Sequence, residues 1–566
     1  MNFISKITRD KTFFILLLIV VFLGIYVRFA DFSHIGYASD DEATLPAGLM
    51  WFYPHSYFPG LNYGNPPLGD MISGAGCMLS GEDFSGVSNI RPFFYPDRYL
   101  WIGEGLANSN FQCHLPGLIF GVIFLLIIIY FALTFFNKYS ALFLISFFSF
   151  SPLIIKYTRI IKPDIFLWVF TLLSLIFFLK AYKEYKFSKK ELIYFLISAA
   201  FLGLTLATKF SIVFLPIVYF FLLLRKYSKE ILQILSLITR KLNLTFLRDL
   251  EIDKSACLKF TRLLALFGIV STFFTLIFFK LNPKNFYETY TIYQRFNQNL
   301  ASSNFNLNSF FRYSQEILLN LNLIDTLFFF FAFYLYYKLV RKGEKSSVDY
   351  LILYLAPVGF IVTIFFPVFL GFYRTLPYFI GFIFLMSLAF SSISPLWKLK
   401  NRRLIFILVL IIYISFSFYN VNSTSPNFEN KNPLICAIWE DKCNIYQTAI
   451  KPTADYLNSI LKDDETFIGF EGPLLFHLRH SQGILDWNFH QAFKQQVGRE
   501  PTMSEKIQFF RPENQTVRYL VFDPSPRQRF GEESAIFMQT FQPNKLISVK
   551  GEPATLIYDL QNLTPK

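Results

Sequence analysis

The sequence predicts an α-helical polytopic membrane protein with a small extracytoplasmic α/β domain at its C-terminal end. Three observations carry this. The chain of 566 residues is 53% hydrophobic and 20% aromatic but only 16% charged, whereas a soluble domain carries about 25% charged residues. Its apolar residues gather into runs long enough to span a bilayer. Its Lys and Arg residues gather in the short segments between those runs, the positive-inside pattern. The composition excludes disorder, a collagen-like fibre, a disulfide miniprotein and an ordinary soluble enzyme. A net charge of +14 spread over such loops is not a nucleic-acid patch.

A spanning helix needs about 20 mostly apolar residues. About eleven runs approach that length: 13–30, 115–136, 140–155, 165–180, 192–208, 210–225, 263–279, 324–340, 350–371, 376–394 and 404–420. The first follows Lys6, Arg9 and Lys11 and has no small-residue cleavage site after it, so it reads as a signal anchor. A basic N-terminus belongs in the cytoplasm. Alternate loops are basic as well: Lys183 to Lys190, Arg225 to Arg248, Arg341 to Lys345 and Lys398 to Arg403. An odd number of spans then leaves the C-terminal region outside.

Residues 1–420 therefore form a membrane domain with two long extracytoplasmic loops, 31–114 and 281–323. Residues 421–566 form an extracytoplasmic domain of mixed pattern. Within it, 447–461 reads as an amphipathic helix, and 466–470, 517–522 and 554–559 read as strands. Cys77 and Cys113 share the first long loop, and Cys436 and Cys443 share the C-terminal region. Both pairs fall in an oxidising compartment, where disulfides and free thiols both remain open readings.

The chemistry-bearing residues lie at the extracytoplasmic ends of the spans. Asp40-Asp41-Glu42 places three adjacent carboxylates just beyond the first span. Such a cluster serves as a general base or a metal ligand; the same letters also suit a helix start. Asn65-Pro66-Pro67-Leu68-Gly69 halts any helix and makes a rigid turn. Tyr157-Thr158-Arg159 and Lys162-Pro163-Asp164 stand between two apolar runs, where Arg159 and Asp164 either pair with each other or serve a site. Lys209, after Gly203-Leu204-Thr205-Leu206-Ala207-Thr208, and Arg374, after Tyr373, are isolated cations in apolar sequence. Each either snorkels to the interface or holds an anion. Carboxylates and cations together at one membrane face fit a site that holds a lipid phosphate and deprotonates an acceptor.

These stretches, in this order, resemble those of the polyprenyl-phosphate-sugar-dependent glycosyltransferases of the GT-C fold, the family of protein O-mannosyltransferases and aminoarabinose transferases. The family's acidic pair in the first outside loop is similar to Asp41-Glu42. Its His-Pro-Pro-Leu-Gly stretch is similar to Asn65–Gly69. Its Tyr-Ser-Arg and following Asp are similar to Tyr157-Thr158-Arg159 and Asp164. Its Gly-Leu and Thr-Lys helix end is similar to Gly203–Lys209. Its late Arg-Tyr with Leu-Pro is similar to Arg374-Thr375-Leu376-Pro377. The likeness covers residues 10–400. Asn65, His114 and Thr375 depart from the family's pattern, and the tail from 421 matches no stretch of it.

The resemblance implies an inverting transfer of a monosaccharide from a polyprenyl-phosphate donor to a protein or glycolipid acceptor. Asp41 would take the acceptor proton, with Glu42 and Asp164 as the next catalytic candidates. Arg159, Lys209 and Arg374 would hold the donor phosphate and stabilise its growing charge. Asp40, Asn65, Pro66 and Tyr373 would position substrate. No cofactor is required on this reading; the open alternative is a divalent metal, Mg or Mn, on Asp41 and Glu42. If the cations clamp phosphate, neutral substitutions should slow transfer and leave stability little changed. The competing readings are a transferase of whole lipid-linked oligosaccharides, a flippase or transporter, and a membrane-anchored binding protein. A transporter predicts repeats and mid-membrane charges, and the sequence has neither.

Overall fold

The computed structural model describes residues 10–30, 41–53, 66–85, 108–210, 214–241 and 253–300, parts of 334–365 and of 408–418, the greater part of 450–469, residues 483–484, part of 497–505, and 516–522, 531–549 and 552–566. The first helix, α1, is Lys11–Phe29. Asp10 caps it by accepting the Phe13 N–H at 3.3 Å. Two short helices follow inside the first long loop, α2 (Asp41–Met50) and α3 (Pro67–Met78). The membrane bundle continues with α4 (Asn110–Phe135), α5 (Lys138–Phe150), α6 (Pro152–Arg159), α7 (Asp164–Lys183), α8 (Lys189–Thr208) and α9 (Phe214–Lys226). An amphipathic helix, α10 (Ser228–Lys241), leads to α11 (Lys254–Leu276). A polar helix, α12 (Pro283–Leu300), occupies the second long loop, and α13 is Ser347–Phe365.

Among the described residues, five helices are long and apolar enough to cross a membrane: Lys11–Phe29, Asn110–Phe135, Asp164–Lys183, Lys189–Thr208 and Lys254–Phe279. Each sits on an expected run. The expected runs 324–340 and 404–420 are described only in part, and 376–394 lies outside the described residues. One expectation needs correction. The run 140–155 is not one helix but two, α5 and α6, broken at Ser151. Pro152 is the cause: it has no N–H to continue the ladder and excludes the helical conformation from the residue before it. The first loop also holds more structure than its Pro and Gly content suggested, since α2 and α3 pack against the bundle.

Short connections make neighbouring helices antiparallel. The α7–α8 turn shows how. Ser188 and Glu191 form a capping box: the Glu191 N–H donates to Ser188 Oγ at 3.1 Å, and Glu191 Oε2 accepts the Phe187 N–H at 2.5 Å. At the same end, Lys226 Nζ is 2.5 Å from Glu191 Oε1 and donates to the Ala181 and Glu184 carbonyls, and Lys186 pairs with Glu230 at 2.9 Å. Basic residues read as topology signals thus also close the ends of helices. The main core runs through α1, α4, α5, α7, α8, α9 and α13 and is built of Phe, Leu, Ile and Val.

The C-terminal region is a layered α/β unit. Its sheet runs β2 (Gly483–Ile484), β1 (Glu465–Gly469), β3 (Thr516–Phe522), β6 (Glu552–Asp559), β5 (Lys545–Val549). β1 is parallel to β2 and β3, while β6 is antiparallel to β3 and β5. A small ribbon of β4 (Phe541–Gln542) and β7 (Thr564–Pro565) closes the end. Alternation along the strands builds two cores. Phe467, Val521 and Ile557 pack with Leu457 of α14 (Ile450–Ile460); Ile468, Leu520 and Tyr558 pack with Met538 of α15 (Gly531–Thr540). The helix expected at 447–461 and the three expected strands all appear there.

Candidate active site

Three of the stretches singled out in the sequence meet at one point. Gly69 opens the first turn of α3, Pro163 precedes α7 and Thr208 ends α8. A Cβ built on Gly69 would lie 2.2 Å from Pro163 Cβ and 3.2 Å from Thr208 Cγ2. Only glycine permits that approach. The contact brings the ends of α7 and α8 under the N-terminus of α3. Beside it, Lys209 Nζ donates to Asp164 Oδ1 at 2.8 Å. Both side chains are buried, at 6% and 0% exposure. Asp164 is the first residue of α7 and Lys209 follows the last residue of α8, so each charge also faces the favourable end of a helix dipole. Asp164 Oδ2 has no hydrogen-bond partner among the described residues.

This pairing decides between readings the sequence left open. Asp164 pairs with Lys209 and not with Arg159. Lys209 does not snorkel; its ammonium is held inside the protein. Arg159 turns the other way. Its Nη2 donates to the Val27 carbonyl at 2.6 Å and to the Ala30 carbonyl. These are carbonyls at the C-terminus of α1, which a helix leaves unpaired. Arg159 therefore caps α1 and holds the point from which the chain departs toward Asp40 and Asp41. Thr158 of the same stretch packs under α4, where a Cβ on Gly121 would lie 2.5 Å from Thr158 Cγ2.

α2 begins at Asp41, which confirms the helix-start reading of the acidic cluster and puts Asp41 and Glu42 at the positive end of a helix dipole. α2 lies on α3 by a glycine contact: a Cβ on Gly48 would be 2.1 Å from the Asp70 carbonyl and 2.8 Å from the Gly74 nitrogen. α3 in turn is bonded to α4 through the Cys77–Cys113 disulfide, so the oxidised reading of that pair holds. Pro66 stands extended before α3 as its N-cap residue. Asp40, Asn65, Tyr373, Arg374, Cys436 and Cys443 lie outside the described residues, as do the side chains of Asp41 and Glu42. Among the described residues no three His, Cys, Asp or Glu side chains cluster as metal ligands.

Among the described residues, Arg28 and Asp70 are buried charged residues that the sequence reading did not single out. Arg28 is fully buried; its Nη1 donates to the Gly24 and Ser149 carbonyls at 2.5 and 3.1 Å and its Nη2 to Phe148 at 2.9 Å, capping α5. Its place at the end of an apolar run gives no local sign of these partners. Asp70, 3% exposed, follows Gly69 directly. Its signal was present: a carboxylate in the first turn of a helix that two prolines start.

Residues 99–242 match the family model described as dolichyl-phosphate-mannose-protein mannosyltransferase. Among solved structures, the fold is similar to that of ArnT from Cupriavidus metallidurans bound to undecaprenyl phosphate, at 13% identity and TM-score 0.50, covering 96% of this chain and 97% of that one. The oligosaccharyltransferase of Archaeoglobus fulgidus, in complex with Zn and sulfate, is also similar, at 13% identity and TM-score 0.46, covering 97% of this chain and 75% of that one. No curated protein matches the sequence. The chain thus has the GT-C membrane fold that its motifs implied.

Proposed function

We propose that this GT-C-fold protein, whose residues 99–242 match the protein mannosyltransferase family, is an inverting glycosyltransferase that moves a monosaccharide from a polyprenyl-phosphate donor to a protein or glycolipid acceptor. The observation that carries this is the junction of Gly69, Pro163 and Thr208, which gathers three separate stretches around a buried Asp164–Lys209 pair. The helix α2, which starts with Asp41 and Glu42, packs on the same α3 through Gly48. The match of residues 99–242 to a family that uses dolichyl-phosphate-mannose, and the undecaprenyl phosphate held by the similar ArnT, support a lipid-phosphate donor.

The chemistry follows from the groups. A lipid phosphate is already a good leaving group, so the site needs no second carboxylate acting as acid, unlike a glycosidase. Asp41 takes the proton from the acceptor hydroxyl as the oxygen attacks the anomeric carbon opposite the phosphate. The bond to the phosphate oxygen breaks, and Lys209 with Arg374 stabilises the charge that develops there. Asp164 orients the Lys209 ammonium. Arg159 holds α1 and with it the approach to Asp41. A Mg or Mn ion on Asp41 and Glu42 remains the alternative source of positive charge, and no step here depends on it.

The protein is an integral membrane protein; on this reading its N-terminus is cytoplasmic and residues 421–566 are extracytoplasmic. The test is to incubate the purified protein in lipid with a panel of polyprenyl-phosphate sugars. Saturable binding and slow hydrolysis of one donor are expected. Failure to bind or hydrolyse any of them, with the fold intact, overturns the reading.

A further inference from the structure

The first long loop is more tightly fastened than its task as a connector requires. Its core is small: Leu45, Leu49 and Met50 of α2, Cys77 of α3, Phe84, Cys113 of α4 and Ile161. Both cysteines lie inside it, at 0% and 1% exposure, and are bonded to each other. Around the bond the backbones touch. A Cβ on Gly76 would lie 2.5 Å from Pro116 Cγ and 2.6 Å from the Gln112 carbonyl. Ser109 Oγ donates to Ser80 Oγ at 2.8 Å, and Ser80 Oγ donates to the Cys77 carbonyl at 2.7 Å. The Phe84 N–H donates to Tyr53 Oη at 3.0 Å, tying the exit of α2 to the exit of α3.

These contacts form one mechanical series. The disulfide holds the C-terminal end of α3 on α4. Gly48 and Gly74 hold α2 on α3. Gly69, at the other end of α3, rests on Pro163 and Thr208 beside the Asp164–Lys209 pair. So α3 carries contacts both to the carboxylate-bearing helix and to the residues beside the buried ion pair. It is only 12 residues long, and three of its glycines, Gly69, Gly74 and Gly76, sit at close contacts, which supply close approach but little apolar area.

We propose that the Cys77–Cys113 disulfide is a positioning element for transfer: it fixes α3, and through α3 it sets the distance between the start of α2 and the Asp164–Lys209 pair. This rests on the assignment of Asp41 as base. The disulfide touches no reacting atom. Its effect falls on the alignment of base and leaving group, where a displacement of about 1 Å costs on the order of 10²-fold in rate.

The experiment compares wild type with the Cys77→Ala/Cys113→Ala protein, both in lipid nanodiscs. Three quantities are read: kcat and KM for the donor that wild type uses, affinity for plain polyprenyl phosphate, and the distance distribution between spin-labelled non-canonical residues at the exposed positions Phe52 and Phe111. The expected result is a kcat lower by roughly 10- to 100-fold, KM and lipid-phosphate affinity within about twofold, and a broadened distance distribution. A disulfide that only adds stability would lower the unfolding temperature and leave kcat and the distribution unchanged below it; that result overturns the proposal. If the double variant does not fold, Cys77→Val/Cys113→Ala, which refills part of the lost volume, gives the same comparison, with the same loss of kcat expected. If wild type turns over no donor, the assigned function fails instead, and the distance distribution alone decides the clamp: a narrow one in the absence of the bond overturns it.

Discussion

On the proposed reading the base is Asp41, the first residue of α2. Asp41→Asn keeps the shape and removes the base, so transfer should fall by about 10²–10⁴ while donor binding persists. Near-normal turnover in that variant would move the role to Glu42 or Asp40. The Lys209 and Asp164 pair makes a second prediction and revises an expectation. From sequence, Lys209→Met should slow transfer and spare stability. The structure shows a buried partner, and removing one member of a buried pair leaves the other charge uncompensated, at a cost of about 3–5 kcal/mol. Lys209→Met should therefore slow transfer and also lower the unfolding temperature. The double substitution Lys209→Met/Asp164→Leu should recover much of the stability and none of the activity. Thermal unfolding in detergent, read beside turnover, separates the two effects; a Lys209→Met protein as stable as wild type would contradict the burial of the pair.

Helices in this molecule meet through glycines, and their ends are closed by long cations. Gly69→Ala puts a methyl 2.2 Å from Pro163 Cβ, so α3 must back away from α7 and α8. Overpacking of this kind costs typically about 1–3 kcal/mol. Gly69→Ala should reduce turnover well beyond its effect on expression, whereas alanine at Gly268, which has open space around it, should do neither. In the C-terminal unit the strands β3 and β6 are joined by Arg518 and Asp559. Arg518 Nη2 donates to Asp559 Oδ2 at 2.8 Å, and Nε lies 2.6 Å from Oδ1. Burial pushes the Asp559 carboxyl up, but the bonds from Arg518, Asn562 and the Gln561 N–H outweigh it and hold the carboxyl below its ordinary value. The folded state then binds that proton less readily than the unfolded one. Its stabilisation is complete above the unfolded value of about 3.9 and is lost as pH falls through the lower folded value. Amide exchange across β3 and β6 should stay slow from neutral pH down to about 4 and accelerate below it. Asp559→Asn should exchange faster at neutral pH and lose that acid step; an unchanged acid step would assign it to another carboxylate.

Across the whole molecule, the proposed orientation places the Gly69 junction, both long loops and the C-terminal unit on one side. A periplasmic reporter fused after residue 420, or cysteine labelling of the C-terminal unit from outside, should report that side; a cytoplasmic tail would carry the junction with it and remove access to an extracytoplasmic acceptor. Much of this was legible in the chain. Membrane spans declare themselves because about 20 apolar residues have no other stable solution in water or lipid. The helix start at Asp41 and the alternating strands of the C-terminal unit follow from backbone chemistry over a few residues, whereas the break at Pro152 is passed over in reading 140–155 as one span. The chemistry-bearing stretches were legible as ionisable residues in apolar surroundings. Their partners were not. Which residue Asp164 pairs with, which carbonyls Arg159 reaches and which helices Gly69 approaches are all settled by contacts between stretches 45 to 139 residues apart. No local pattern encodes such a choice, because a buried charge accepts any partner that geometry supplies. The sequence by itself determined which residues cannot be left in lipid unpaired; only tertiary packing decided that Asp164 holds Lys209 and that Arg159 reaches the end of α1.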